Sequence, residues 1–434
     1  FCLSRGLGDV YKRQVDGGST DSGPHFLGTA TAKTARAAVA RDLSVIVPAA
    51  HMAGIPVVVG SCGTAGTDAG VNWVYDIVCD IAASTNLPLD VARIYSEQTS
   101  ESISSYLSEG RIHPLAPAGP LTPETIAKCS HIVGLMGHEP IATALTDGAD
   151  VVLAGRATDT AIVAALPLMK GLPAGPVWHA SKIAECGGFC TDAPRAGGVL
   201  VSIDAGGFTV EPLSPSAACT PSTVFAHMMY ENADPYRLRE PDGILDTSGA
   251  SYEALDHRRV RVTGSTFERA TYTIKLEGAA PVGYQTVIIT GIRAPDALRR
   301  LGEWSDGVLD YLNHRVPSTF ALRPEDYDLQ IRRYGHDAVL GAAEPLKEEV
   351  PHEVGIVFTA TAGSQSMATE LAKFANPVLL HAPLSGETVM PSYAFLGSPV
   401  EIERGQIHEF VLNHVVDVSD PNDLFKITYT KVCG

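Results

Sequence analysis

The chain of 434 residues is most informative at first for what it has little of. No apolar run is long enough to cross a bilayer as a helix. The eight cysteines are scattered, with no CxxC spacing, so no disulfide framework is indicated. Free thiols at that spacing fit a reducing, cytoplasmic setting. Cys186 and Cys190 have no second pair to complete a zinc set. Basic residues are scarce, 32 Lys and Arg against 49 Asp and Glu, for a net charge of −17. An acidic chain without a basic stripe argues against nucleic acid and anionic membrane as partners. An anionic small molecule stays open, because a local Arg and backbone N–H groups can bind one. Repeats, heptads and low-complexity tracts are absent. The apolar share of 45% is ordinary for a folded chain. The length predicts roughly two or three domains with ample core.

Residues 1–14, FCLSRGLGDVYKRQ, do not begin with Met and resemble translated adapter read-through. The expectation is a foreign tail, with the native chain starting near Val15 and lacking a strand before Asp16.

From Val15 onward, strands alternate with helices. Helices are expected over 33–53, 71–83, 99–109, 122–128, 141–147 and 159–169. Strands are expected over 55–60, 89–95, 132–136 and 151–154. This predicts an α/β fold, a mostly parallel sheet with helices on both faces, over residues 15–195. Ligands of such sheets collect at the carboxyl ends of the strands. Those ends carry DGGSTD, SCGTAG, Ser96–Glu97, GHEP and GRATD. Residues 196–434 read as a mixed α+β second domain. Strands are expected there over 200–212, 259–263, 272–276, 285–290, 354–361, 378–381, 409–416 and 425–430, and helices over 221–230, 296–313 and up to 374.

The stretch 150–188 organises the candidate chemistry. The apolar run 151–154 is a buried strand ended by Gly155. Thr158 stands where it would N-cap a nearly all-apolar helix. A Gly/Pro loop then leads to Trp178, His179, Lys182, Glu185 and Cys186. Arg156, beside that helix start, suits a carboxylate or phosphate, unless it only pairs with Asp159 or Asp150. His179, Lys182 and Glu185 are the candidate acid–base groups. The alternative is a Lys182–Glu185 surface pair beside an inert Cys186. Cys186 is otherwise a substrate contact or a nucleophile beside a cation. Asp16, Ser19, Thr20 and Asp21 form a loop able to cradle an anion with backbone N–H groups, or to hold Mg²⁺ through its carboxylates. A Gly-rich turn with an Asx cap explains it equally. GSCGTAG lacks the dinucleotide register GxGxxG, and close helix–strand packing accounts for its glycines. Glu97, His138 and Glu139 also fall at strand ends, and His227, His381 and His414 read as packed structural groups. No metal set is singled out and no cofactor is implied.

Five blocks carry a family resemblance: DGGSTDSGPHFLG (16–28), GRATDTA (155–161), WHASKIAECG (178–187), STVFAHMMYENADPY (222–236) and EFVLNHVVDV (409–418). With them the chain resembles the bacterial acyclic terpene utilisation family along most of its length. Relatives read DAGSTDPGPYYLG where this chain has Gly17, Ser22, His25 and Phe26; Ser in place of Pro at position 22 loosens the loop. The resemblance implies a role in growth on citronellol-like terpenes, a route that runs through branched acyl-CoA thioesters; it assigns no reaction. The expected function is a catabolic enzyme acting on a small carboxylate or branched acyl-CoA thioester, by hydration, hydrolysis or proton abstraction. Arg156, Asp159 and the DGGSTD loop would bind the substrate, and a homo-oligomer is compatible. The alternative is a non-catalytic acyl-CoA- or nucleotide-binding subunit of a carboxylase-like assembly. An actin-like ATPase is a third reading, although a helix rather than a hairpin is expected after DGGST.

Overall fold

A computed structural model describes residues 2–6, 10–384 and 393–432. The chain is a mixed α/β protein that forms two compact units, residues 1–280 with 409–434, and residues 281–408. The change from βα alternation to hairpins near residue 196 falls inside the first of these.

The first unit contains a ten-stranded sheet. At its centre Val10–Asp16, Val57–Gly60, Val151–Ala154 and Leu89–Tyr95 lie side by side and parallel. Val57–Gly60 and Val151–Ala154 are apolar in unbroken runs because both their sides are buried. Val57 and Val59 pack with Leu43, Ile46 and Ile77 of the helices Arg36–Met52 and Asp68–Thr85. Val58 belongs instead to the cluster holding Ile162 of the helix Asp159–Met169. That helix begins where expected, although the Thr158 side chain makes no capping hydrogen bond.

The sheet is less parallel than expected: four of its nine neighbouring pairs are parallel. One flank is built from the antiparallel strands Val199–Asp204, Gly207–Pro212, Val260–Thr263 and Ser251–Ala254. The other edge is closed by Lys426–Val432, antiparallel to Leu89–Tyr95. With that edge taken, His131–Leu135 does not join the parallel series. It pairs antiparallel with Lys275–Ala279.

Cys2–Gly6 and Val10–Asp16 form an antiparallel pair within this sheet, so the position before Asp16 is filled by a strand. Its residues suit the position poorly. Lys12 is fully buried and its Nζ donates to the Ile162 carbonyl at 2.5 Å. Gln14 is 2% exposed, and its amide N and O have no hydrogen-bond partner among the described residues. Residues 1 and 7–9 of the expected tail lie outside the described residues.

Two further expectations change. The GLPAGPV loop is partly helical, because the helix Ala174–Ala184 starts directly after Pro173 and carries Pro176 in its first turn, where no intrahelical N–H is needed. In the second unit, residues 378–381 are the end of the helix Gln365–His381 rather than a strand. A four-residue apolar run does not separate these states. That unit is antiparallel, with Val354–Ala362 between Tyr327–Tyr334 and the 284–292 part of Thr273–Ile292.

Candidate functional site

The carboxyl ends of the parallel strands meet at Arg156. The residue is 6% exposed, two positions past Val151–Ala154. Its backbone N–H donates to Ser96 Oγ at 2.7 Å and to the Gly66 carbonyl at 3.1 Å. Gly66 has φ +65°, and a Cβ there would lie 2.1 Å from the Arg156 nitrogen. Backbone contact therefore requires that glycine, and the SCGTAG loop is a packing device. The guanidinium donates to Glu277 Oε2 (3.3 Å), Ser61 Oγ (3.1 Å), the Ala157 carbonyl (3.1 Å), Asp159 Oδ1 (3.3 Å) and Thr20 Oγ1 (3.5 Å). Ser61 holds a left-handed φ of 45° in doing so, a strained state for a residue with a Cβ.

Arg156 is thus occupied by protein acceptors. It lines neither neighbouring cleft, and it fixes the loop that it was expected to help bind an anion with. Thr20 Oγ1 also donates to Glu277 Oε2 at 2.9 Å, and Lys275 Nζ to Glu277 Oε1 at 2.8 Å. Burial works against charge on both partners. Glu277, Asp159 and Asp16 still hold Arg156 charged, and Arg156 with Lys275 keeps Glu277 below its usual range.

Asp16, Glu185 and Cys186 line a cleft of about 380 Å³ with Ile162, Gly187 and Phe189. Asp16 ends its strand, and its Oδ1 accepts from Gly18 N–H at 3.2 Å, the expected Asx turn. Solvent reaches it, yet protein encloses most sides. That enclosure and the charge of Asp159 push its carboxyl up to about 7. Asp159 is raised by burial, against the pull of Arg156. Lys182 and Glu185, each 6% exposed at the side chain, form a short ion pair at the end of their helix. Burial pushes Glu185 up to about 8; Lys182 opposes this, and Asp159 and Asp16 add to it. Lys182 stays charged because Glu185 outweighs its burial. Several carboxyls here share too few cations, so one or more protons are held among them near neutral pH.

Other expected residues stand apart or lose their proposed chemistry. Ser19 accepts from Asp21 N–H at 3.3 Å, and Asp21 lines a second cleft of about 610 Å³ with Thr20, Lys275 and Glu277. His179 is fully buried, with Nδ1 against Ser265 Oγ (2.7 Å) and Nε2 against Tyr252 OH (3.1 Å). Burial lowers it to about 3, and it takes no part in the cluster. Burial and Glu185 push the Cys186 thiol up to about 12, so it is no ready nucleophile.

A sequence model of the family described as acyclic terpene utilisation family protein AtuA matches residues 31–395. The chain belongs to this family. Comparisons with curated proteins and with solved structures found no match. In this family member four of the five resemblance blocks converge on the cluster. Tyr230 lies with its ring 5.8 Å from Lys182 Nζ, and ligand atoms of His227, Cys186 and Glu185 lie within 4.8 Å of one another.

Reading the sequence missed Glu277, Lys275, Ser61 and Glu240. Glu240 is buried, accepts from Thr160 Oγ1 at 2.9 Å, and is raised well above its usual range by burial. A Lys-x-Glu inside the otherwise apolar strand Thr273–Ile292 was the one available signal. A neighbouring group joins His138, Glu139 and Asp242. There Tyr272 OH donates to Glu139 at 2.6 Å, and burial raises Glu139 to about 7 and lowers His138 to about 4.

Proposed function

We propose that this protein is a catabolic enzyme that acts on a small carboxylate or branched acyl-CoA thioester in the Asp16–Glu185 cleft, by hydration, hydrolysis or proton abstraction. The observation that supports it is that Asp16 and Glu185 line one cleft, where enclosure and neighbouring carboxylates push both carboxyls up. A group of that kind can both take and return a proton at pH 7, the condition for efficient acid–base work. Lys182 supplies positive charge beside Glu185, where a substrate carboxylate or thioester oxygen would sit. Arg156 is a positioning residue in this reading: it holds Thr20, Asp159 and Glu277 and touches no substrate. The family's role in acyclic terpene utilisation agrees with a branched aliphatic substrate. The cleft volume lies within the range of small-molecule sites, about 300–1,000 Å³.

The test is turnover of a panel of branched acyl-CoA thioesters and free acids, compared with Asp16→Asn and Glu185→Gln. Each variant is expected to lose about 10²–10⁴-fold in kcat with unchanged circular dichroism. Full turnover in both variants would remove the acid–base assignment. Thermal stabilisation by an acyl-CoA or nucleotide with no turnover in any assay would favour the non-catalytic subunit instead.

A further inference from the structure

Glu185, Cys186 and His227 each offer a ligand atom within 4.8 Å of the others. They come from two separate elements. Glu185 and Cys186 follow the helix Ala174–Ala184, whose end turns both side chains toward one place. His227 lies near the end of the helix Pro221–Met228, which a Thr220–Thr223 capping box starts. An independent observation marks this set as more than a chance grouping. His227 is 6% exposed, and its Nε2 is buried with no hydrogen-bond partner among the described residues. A buried imidazole nitrogen left unpaired forfeits its hydration without a hydrogen bond in return, so a native chain keeps one for a reason. The ring is held in place by stacking on Tyr230, with centroids 5.8 Å apart. Access exists as well, because Glu185 and Cys186 line the open cleft.

We propose that Glu185, Cys186 and His227 bind a divalent transition-metal ion of the zinc or cobalt class. The donor set decides the class: a sulfur and an imidazole favour a borderline-soft ion over Mg²⁺ or Ca²⁺. Three protein ligands with a side open to a cleft is the pattern of a zinc ion that leaves one position for water or substrate. Bond lengths of about 2.0–2.3 Å would put the ligand atoms about 3.5 Å apart. They already stand within 4.8 Å of one another, on side chains free to rotate about their own bonds. As the ion binds, the thiol proton and the proton held on the Glu185 carboxyl pass to solvent. Lys182, paired with Glu185, is the natural competitor for the site. In the absence of metal its ammonium holds the carboxyl group that the ion would take. Metal binding stands without any substrate assignment. Only the ion's use in the cleft, with Asp16 left as the proton carrier, rests on the function proposed above.

The experiment is titration of the chelator-treated full chain with Zn²⁺ by calorimetry and with Co²⁺ by absorbance, without substrate. One equivalent is expected to bind, with a cobalt–thiolate charge-transfer band. Cys186→Ser should remove the band, and Cys186→Ser and His227→Gln should each weaken binding tenfold or more. Lys182→Met should tighten it, a direction that mere structural damage does not produce. If His227→Gln fails to fold, Cys186→Ser and Lys182→Met still decide. Absence of stoichiometric binding, or affinity unchanged in Cys186→Ser, overturns the site and leaves the acid–base reading to its own assay.

Discussion

Both units of the chain bury apolar clusters, but among the described residues the first buries ion pairs as well. In residues 281–408 the strand Val354–Ala362 alternates strictly, and Ile356, Phe358, Leu371 and Leu379 form a core with no charge in it. Ion pairs of that unit such as Arg323–Asp326 and Lys373–Glu370 lie at its surface, and the more enclosed Arg333–Asp337 is still part-exposed. In the first unit Arg156–Glu277 and Lys182–Glu185 are buried at every partner. Apolar packing achieves stability without the desolvation cost of such pairs, which apolar residues of equal volume often match or exceed. The described core of the second unit is built without a buried ion pair. The ion pairs kept inside the first are the feature that sets it apart.

The largest expected effect breaks that contrast at its centre. Arg156→Ala takes the buried cation from Asp159 and leaves Glu277 with Lys275 alone, and should cost about 3–5 kcal/mol in urea unfolding. A loss below about 1 kcal/mol would show that the network is wetter and looser than its geometry. The second effect is a pH slope. Glu185 has an ordinary value of 4.5 and a folded value of about 8. Between them the folded state holds one proton more than the unfolded, so stability falls as pH rises, by up to about 1.4 kcal/mol per unit. Denaturation midpoints taken between about pH 5 and 8 should show the fall, and Glu185→Gln should flatten it. Asp16→Asn should act in the same direction, more weakly because solvent reaches that carboxyl. An unchanged slope in Glu185→Gln would mean that the proton is held elsewhere.

Much of this frame was legible because local patterns carried it. The run 151–154, Gly155 and the apolar helix Asp159–Met169 stand as read, and Leu89–Tyr95 matches residue for residue. Loop glycines also told the truth: Gly66 is there for contact with Arg156. The site was legible only in part. Asp16, Thr20, Asp159, Lys182 and Glu185 sit on local motifs, so the sequence could single them out. Glu277 was passed over and His227 was read as a packed group, because pairing of Lys275–Ala279 with His131–Leu135 and the docking of a later helix bring them near the cluster. No spacing rule spans such separations. His179 misled for a related reason: it shares a short stretch with Lys182 and Glu185, while its partners Ser265, Tyr252 and Phe208 are remote and enclose it.

A smaller effect tests the strand before Asp16. Gln14 buries an unpaired amide between the apolar strands of the central sheet, so Gln14→Leu should stabilise by about 1–3 kcal/mol. Its opposite number in the second unit is Ile356→Val, which removes one buried methylene and should cost about 0.5–1.5 kcal/mol. Thermal unfolding of both variants asks whether each core already holds what suits it. The contrast requires a gain in the first and a loss in the second.

The smallest effect is expected at Arg323, and it decides whether the contrast is about burial or about charge. Its guanidinium lies 2.8 Å from Asp326, as close as many buried pairs, but the side chain is 70% exposed. Water and salt screen such a pair, and ordering a long side chain offsets most of what it gains. Arg323→Ala also keeps the backbone N–H that donates to Asp326 at 2.9 Å, so the turn itself survives. The unfolding midpoint should not move at physiological salt, while Arg156→Ala, with contacts no shorter, should move it strongly. If the two variants fell together, distance rather than desolvation would govern both, and the buried charges of the first unit would lose their claim to mark a site.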